Sequence, residues 1–151
     1  MTVTKNLTET QSLALDFVNN LLKICQIPPG KATVVGLYGE LGSGKTSFVQ
    51  GVAKALGVKS QVVSPTFVLQ KRYELDTKTQ NCFSNLIHID AYRMESPEEL
   101  AHIKWEELLN DPHNLICIEW PERVYKGMPN EHIQVICTFV DESTRKFDIH
   151  M

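Results

Sequence analysis

Residues 33–56 read TVVGLYGELGSGKTSFVQGVAKAL, and the fold class follows from this stretch. Thr33 to Tyr38 is a short apolar run of the kind that forms a strand buried on both faces. Gly39 to Thr46 matches G-x-x-x-x-G-K-[ST] at every fixed position. A helix is expected from Lys45 to about Leu56, with Gly57 placed to end it. A strand, a glycine-rich turn and a helix in this order make a phosphate cradle. Gly42 and Gly44 let the backbone turn its N–H groups inward around a phosphate. The helix that follows points its positive end at the same place. Lys45 can reach the β- and γ-phosphates, and the Thr46 hydroxyl can join a magnesium shell. The bland alternative is a glycine turn without a ligand; the buried strand before it and the amphipathic helix after it argue against that.

Working outward, Thr8 and Gln11 fit a capping box. Leu13, Phe17 and Leu21 recur at helical spacing, which predicts a helix to about Ile24, broken by Pro28, Pro29 and Gly30. Val62 to Leu75 reads as extended and interrupted by Pro65. Phe67, Leu69, Tyr73 and Leu75 share the parity of a strand with one buried face. A polar loop over residues 76–81 leads to a strand from Leu86 to Asp90, antiparallel to the one before. Ser96, Pro97 and Glu99 form an N-cap, N1 proline and capping-box glutamate, predicting a helix to about Asn110. Leu115 to Glu119 is a second buried strand. Ile133 to Val140 and Arg145 to Ile149 read as a closing hairpin. The alternation predicts an α/β three-layer sandwich of the P-loop type. Its central sheet is mixed and partly parallel, with antiparallel hairpins at one edge. Residues 1–151 are expected to form a single domain.

Composition narrows the function classes. The chain has 151 residues and a formal net charge of -3, which disfavours a protein that grips nucleic acid by itself. RNA held jointly with a basic partner stays open. No apolar stretch approaches the ~20 residues of a membrane span, and no signal peptide is legible. Cys25, Cys82, Cys117 and Cys137 lack CxxC spacing, and the histidines make no metal pattern, so reduced, partly buried thiols in a cytoplasmic protein are expected.

A magnesium site needs further oxygen ligands. Glu119 ends LICIE and Asp90 ends LIHID, both at the carboxyl ends of buried strands. Either can hold the ion or orient an attacking water; either can also simply start a turn. Ser64-Pro65-Thr66 lies where nucleotide-sensing segments often sit, and Thr66 is a candidate for the γ-phosphate or the ion. Trp120 is either a core anchor or a lid, and Arg93 either an ion-pair member or a partner contact. No N-K-x-D motif follows a later strand, which favours adenine over guanine.

Taken together, GELGSGKTSFVQGVAKALG, VVSPTFVLQKRY, HIDAYR, PEEL and IEWPERV resemble the TsaE (YjeE) family, ATPases of tRNA threonylcarbamoyladenosine (t6A) synthesis. The resemblance covers nearly the whole chain. It implies ATP and magnesium as ligands, with Thr46 and Glu119 as the magnesium pair and Lys45, Asp90 and Glu119 as the catalytic set. The implied nucleotide-binding set is Thr10, Gly42, Ser43, Gly44, Lys45, Thr46, Ser47, Thr66, Trp120 and Arg145. It further implies TsaD and TsaB as partners, a monomer when isolated, tRNA contacted only indirectly or jointly, and weak hydrolysis that depends on the partners. Ser43, Ala91 and Lys104 depart from residues usual in the family (alanine, leucine and glycine respectively), and the loop from Asp76 to Ser84 is longer than in some members. Two other readings remain at this stage. A small-molecule kinase would need an arginine-bearing lid, and Arg72, Arg93, Arg123 and Arg145 do not cluster as one. A nucleotide-gated scaffold without turnover would not need both Asp90 and Glu119.

Overall fold

The computed structural model describes residues 1–24, 30–76 and 82–151. Its strands are β1 (Thr2–Thr4), β2 (Thr33–Tyr38), β3 (Gln70–Glu74), β4 (Asn85–Asp90), β5 (Asn114–Glu119), β6 (Ile133–Phe139) and β7 (Arg145–His150). The α-helices are α1 (Leu7–Ile24), α2 (Lys45–Ala55) and α3 (Trp105–Leu109), and two 3₁₀ segments cover Pro97–Ile103 and Pro121–Gly127. The strands form one seven-stranded sheet in the order β1-β7-β6-β2-β5-β4-β3. β2 runs parallel to both β5 and β6, and β4 runs parallel to β5. β3 on β4, β7 on β6 and β1 on β7 are antiparallel, so antiparallel pairs close both edges rather than one.

Alternation along the strands divides the core into two layers. Val35 and Leu37 of β2, with Leu115 and Cys117 of β5, pack beneath α1 and α2 through Phe17, Val18, Phe48 and Val52. Val34, Ile116, Ile118, Ile87 and Ile89 face the other way, onto Leu100, Trp105, Leu108 and Val124. The result is the expected three-layer sandwich. Helices α1 and α2 touch closely because Gly51 has no side chain: a Cβ there would lie 2.6 Å from the Ala14 Cβ.

Several local readings are corrected. The first helix is capped by Asn6, not Thr8: Asn6 Oδ1 accepts the Glu9 N–H at 2.9 Å and Glu9 Oε2 accepts the Lys5 N–H at 2.7 Å. The extended reading of residues 62–75 holds only for β3. Thr66 to Val68 turn instead, with Val68 and Leu69 N–H groups both bonded to the Pro65 carbonyl. Leu69 takes a positive φ of 65°, and Phe67 is 84% exposed rather than buried with Tyr73. The helix expected over 97–110 is two pieces. The Ser96–Glu99 capping box forms, but Lys104 adopts φ 55° and divides the 3₁₀ turn from α3. A left-handed residue is the reason glycine suits this position. β1 and the 3₁₀ segment Pro121–Gly127 were not foreseen. The Pro28–Pro29 break, Cys25 and most of the loop over 76–81 lie outside the described residues.

Candidate functional site

The carboxyl ends of β2, β4 and β5 lie side by side, because these strands are parallel and in register. Leu37 pairs with Glu119, and Glu119 with Asp90. The loop leaving β2 turns into α2, so the first N–H groups of that helix point over the same sheet edge and have no partners within the helix itself. Gly42 (φ 76°) and Gly44 (φ 99°) both adopt the left-handed conformation that glycine admits readily. A cleft of about 830 Å³ opens there. It is lined by Gly42, Ser43, Gly44, Lys45, Thr46 and Ser47 from the cradle and by Asp90, Glu119 and Trp120 from the strand ends. Ser64 and Thr66 line one side, and Thr10, Leu7 and Arg145 the other. Every site residue expected from the sequence is therefore at this one cleft.

Lys45 is almost fully buried, and its ammonium donates to the Gly39 carbonyl at 2.6 Å and to the Glu40 carbonyl at 2.8 Å. The same nitrogen lies 3.8 Å from the centre of the Trp120 ring, a cation–π contact. Burial pulls the Lys45 ammonium below its ordinary value, and the negative charge of Glu119 opposes that shift. Trp120 also packs against the lower core and touches Tyr92 ring to ring, so it is both a rim residue and a partial anchor.

The two acids have different surroundings. Glu119 is buried and accepts the Thr46 hydroxyl, with Thr46 Oγ1 at 2.9 Å from Oε1 and 3.0 Å from Oε2. A hydroxyl and a carboxylate facing one another beside a phosphate cradle are the hard oxygen ligands magnesium prefers. These residues fit the ion. Asp90 is occupied differently. Its Oδ2 accepts Ser64 Oγ at 2.8 Å and Thr66 Oγ1 at 2.7 Å, and its Oδ1 accepts the Tyr92 N–H at 2.9 Å. It ties the Ser64–Thr66 turn to the end of β4.

At the far end of the cleft, Thr10 bonds Thr4 of β1 at 2.9 Å through the two hydroxyls. Arg145 donates from Nε to the Gly42 carbonyl at 2.7 Å and lies over Phe139, which fixes it against the cradle. Ser43 is buried, and its hydroxyl has no hydrogen-bond partner among the described residues. Arg93 lies over the exposed Phe67 ring at 4.5 Å. One residue of the HIDAYR segment, His88, is given no role by the sequence reading. His88 in β4 is fully buried, and its Nε2 is 2.8 Å from Glu119 Oε1. Strand parity was the available signal, since His88 lies two residues before Asp90 on the same face. No helix among the described residues is long and apolar enough to cross a membrane.

A mixed sheet whose central parallel strands carry a Gly-Lys-Thr cradle and a facing carboxylate at their ends defines a P-loop NTPase. The family model described as "Threonylcarbamoyl adenosine biosynthesis protein TsaE" matches residues 4–147, and the chain belongs to that family. It is 40% identical over 121 residues to the tRNA threonylcarbamoyladenosine biosynthesis protein TsaE of Nostoc sp., covering 78% of this chain and 69% of the relative. It is 36% identical over 143 residues to TsaE of Rickettsia prowazekii, covering 94% and 88%. The crystal structure of Bacillus subtilis YdiB is similar at a TM-score of 0.68 and 25% identity, over 97% of this chain and 80% of that one.

Proposed function

We propose that the chain binds ATP with magnesium in this cleft and hydrolyses it in support of t6A synthesis, with TsaD and TsaB as partners. The observation that carries the reading is the pairing of Thr46 with Glu119 directly beside the cradle. Residues 1–151 act as one ATPase domain, in which the first strand pairs with the last.

Within the site, the N–H groups from Gly42 to Thr46 hold the phosphates, with Ser43 and Ser47 lining the cradle. Lys45 leaves its two carbonyl partners for the β- and γ-phosphates, and Trp120 then loses or exchanges its cation. Thr46 and Glu119 would hold magnesium, which would supply neutralisation of the charge that develops on the leaving phosphate oxygen. Asp90 acts on the reaction by holding Ser64 and Thr66 against the γ-phosphate end. Thr10 and Arg145 border the nucleoside end. The segment that follows Ser64 and Thr66 is exposed at Phe67 and Val68, so a partner that orders it raises turnover.

The test is magnesium-dependent ATP hydrolysis by the chain alone and with purified TsaD and TsaB. Slow turnover alone, raised several-fold by the pair and abolished by Lys45→Ala, is the expected outcome. Turnover indifferent to the partners would leave a generic P-loop ATPase and overturn the t6A assignment.

A further inference from the structure

We propose that His88 is a positioning residue for Glu119: it fixes the carboxylate so that its remaining oxygen lone pairs face Thr46 and the bound ion. The proposal rests on the reading of Glu119 as a magnesium ligand. His88 sits in β4 between Ile87 and Ile89, on the face that carries Leu86 into the upper core, and its side chain is fully buried. A polar ring in such a place is costly unless it serves a partner. Its partner is a single atom, Glu119 Oε1 at 2.8 Å. The other ring nitrogen, Nδ1, is buried and has no hydrogen-bond partner among the described residues. A carboxylate oxygen only accepts, so Nε2 carries the proton of this contact.

The geometry explains why a donor is useful here. Glu119 stands at the last position of β5 and must project its carboxylate into the cleft through rotatable bonds whose freedom opposes a single placement. Thr46 supplies one hydroxyl proton shared between both oxygens, and it comes from α2, an element that the bound nucleotide also touches. His88 supplies the second restraint from the neighbouring strand, where Cys117 of β5 is its register partner. The carboxylate is thus gripped from the sheet as well as from the cradle, and its sheet-side restraint persists when Thr46 turns toward the ion. Donors that orient a metal-binding carboxylate in this way commonly alter metal affinity when removed.

The test uses two substitutions of similar reach, His88→Met and His88→Gln, of which only glutamine can donate to Glu119. Binding of a fluorescent adenine nucleotide is titrated with magnesium, and separately measured in EDTA. His88→Met should raise the magnesium concentration for half-maximal binding by roughly tenfold or more, with affinity in EDTA within about twofold of the parent. His88→Gln should recover most of the difference. Glu119→Gln in the same assay separates the two readings. An unchanged magnesium requirement there overturns Glu119 as a ligand. A raised requirement in Glu119→Gln with none in folded His88→Met overturns the positioning role alone. The parent protein offers an independent check that needs no variant to fold. Long-range nitrogen–proton NMR should find a proton on His88 Nε2, and an Nε2 without a proton would overturn the proposal.

Discussion

Replacing Asp90 by alanine removes the acceptor that holds the Ser64–Thr66 turn. Asp90 is buried, and its Oδ2 receives both hydroxyls at 2.8 and 2.7 Å. A hydrogen bond to a charged acceptor contributes about 1.5–3 kcal/mol. The released hydroxyls are half-buried and regain water once the turn opens, so the loss to local opening is about 2–4 kcal/mol rather than the full sum. The segment keeps its local bonds: Ser64 to Thr66 through their hydroxyls, Val68 and Leu69 N–H to the Pro65 carbonyl, Gln70 N–H to the Val68 carbonyl, and Asp90 N–H to the Leu69 carbonyl. A loss of that size speeds amide exchange at Val68 and Leu69 by roughly 30- to 1000-fold. Hydrogen exchange with mass spectrometry over residues 62–69 measures it, and α2 serves as the internal control. Asp90→Asn should fall between the parent and alanine, because its amide can satisfy the hydroxyls or the Tyr92 N–H but not both well. Unchanged exchange in the turn, or equal acceleration in α2, would refute the assignment of Asp90 as the clasp of this segment.

Gly51→Val should destabilise the fold by about 1–3 kcal/mol, read from urea midpoints, because the added side chain meets Ala14; Ala14→Gly in the same chain should recover part of it. Lys104→Gly should stabilise by about 0.5–1 kcal/mol, since it relieves a left-handed lysine at the cost of a freer unfolded chain. Among the described residues the ion pair it forfeits is with exposed Glu107, a contact of little worth. Burial pushes the Cys117 and Cys137 thiols up to about 12, from an ordinary value of 9.0. Because the folded values are raised, their contribution to stability is whole below about pH 9 and is lost as pH climbs towards 12. Thiol titration with a disulfide reagent at pH 8.5 should therefore leave both unlabelled until the chain unfolds; labelling of either in the native state would contradict their burial.

The sheet was largely legible because its central strands are buried on both faces and read as short apolar runs. TVVGLY and LICIE fall within a residue of their observed bounds, and the cradle between strand and helix has one arrangement that closes. Legibility fails where polar side chains set the backbone. Asn6 outcompetes Thr8 as a cap because its side chain exchanges two bonds with Glu9 while β1 fixes the approach to the helix. Thr66 turns because Asp90, distant in sequence, draws its hydroxyl inward. Strand parity then carries no information for Phe67. β1 is three residues long and exists through its pairing with β7, so no local pattern announces it. At the site, residue types pointed to the cleft, but the division of labour between Asp90 and Glu119 depends on which neighbours each carboxylate meets. His88 opens the HIDAYR segment, but the sequence gives it no role, because one histidine in an apolar strand reads as filler until its register beside β5 is known.

The order of the strands bears on how the chain is made. The cradle is translated early, yet β2 gains its two flanking neighbours only when residues 114–119 and 133–139 have been synthesised. At ribosomal speeds the gap between β2 and β6 is roughly 5–20 s. During that interval TVVGLY is an unpaired apolar strand and Glu119 does not yet exist, so the nascent chain cannot trap nucleotide with its ion. Arg145 and Phe147, which brace the cradle from β7, arrive later still. The site written first is thus completed last, and the nascent chain is exposed to misassembly chiefly while its central strand waits for partners.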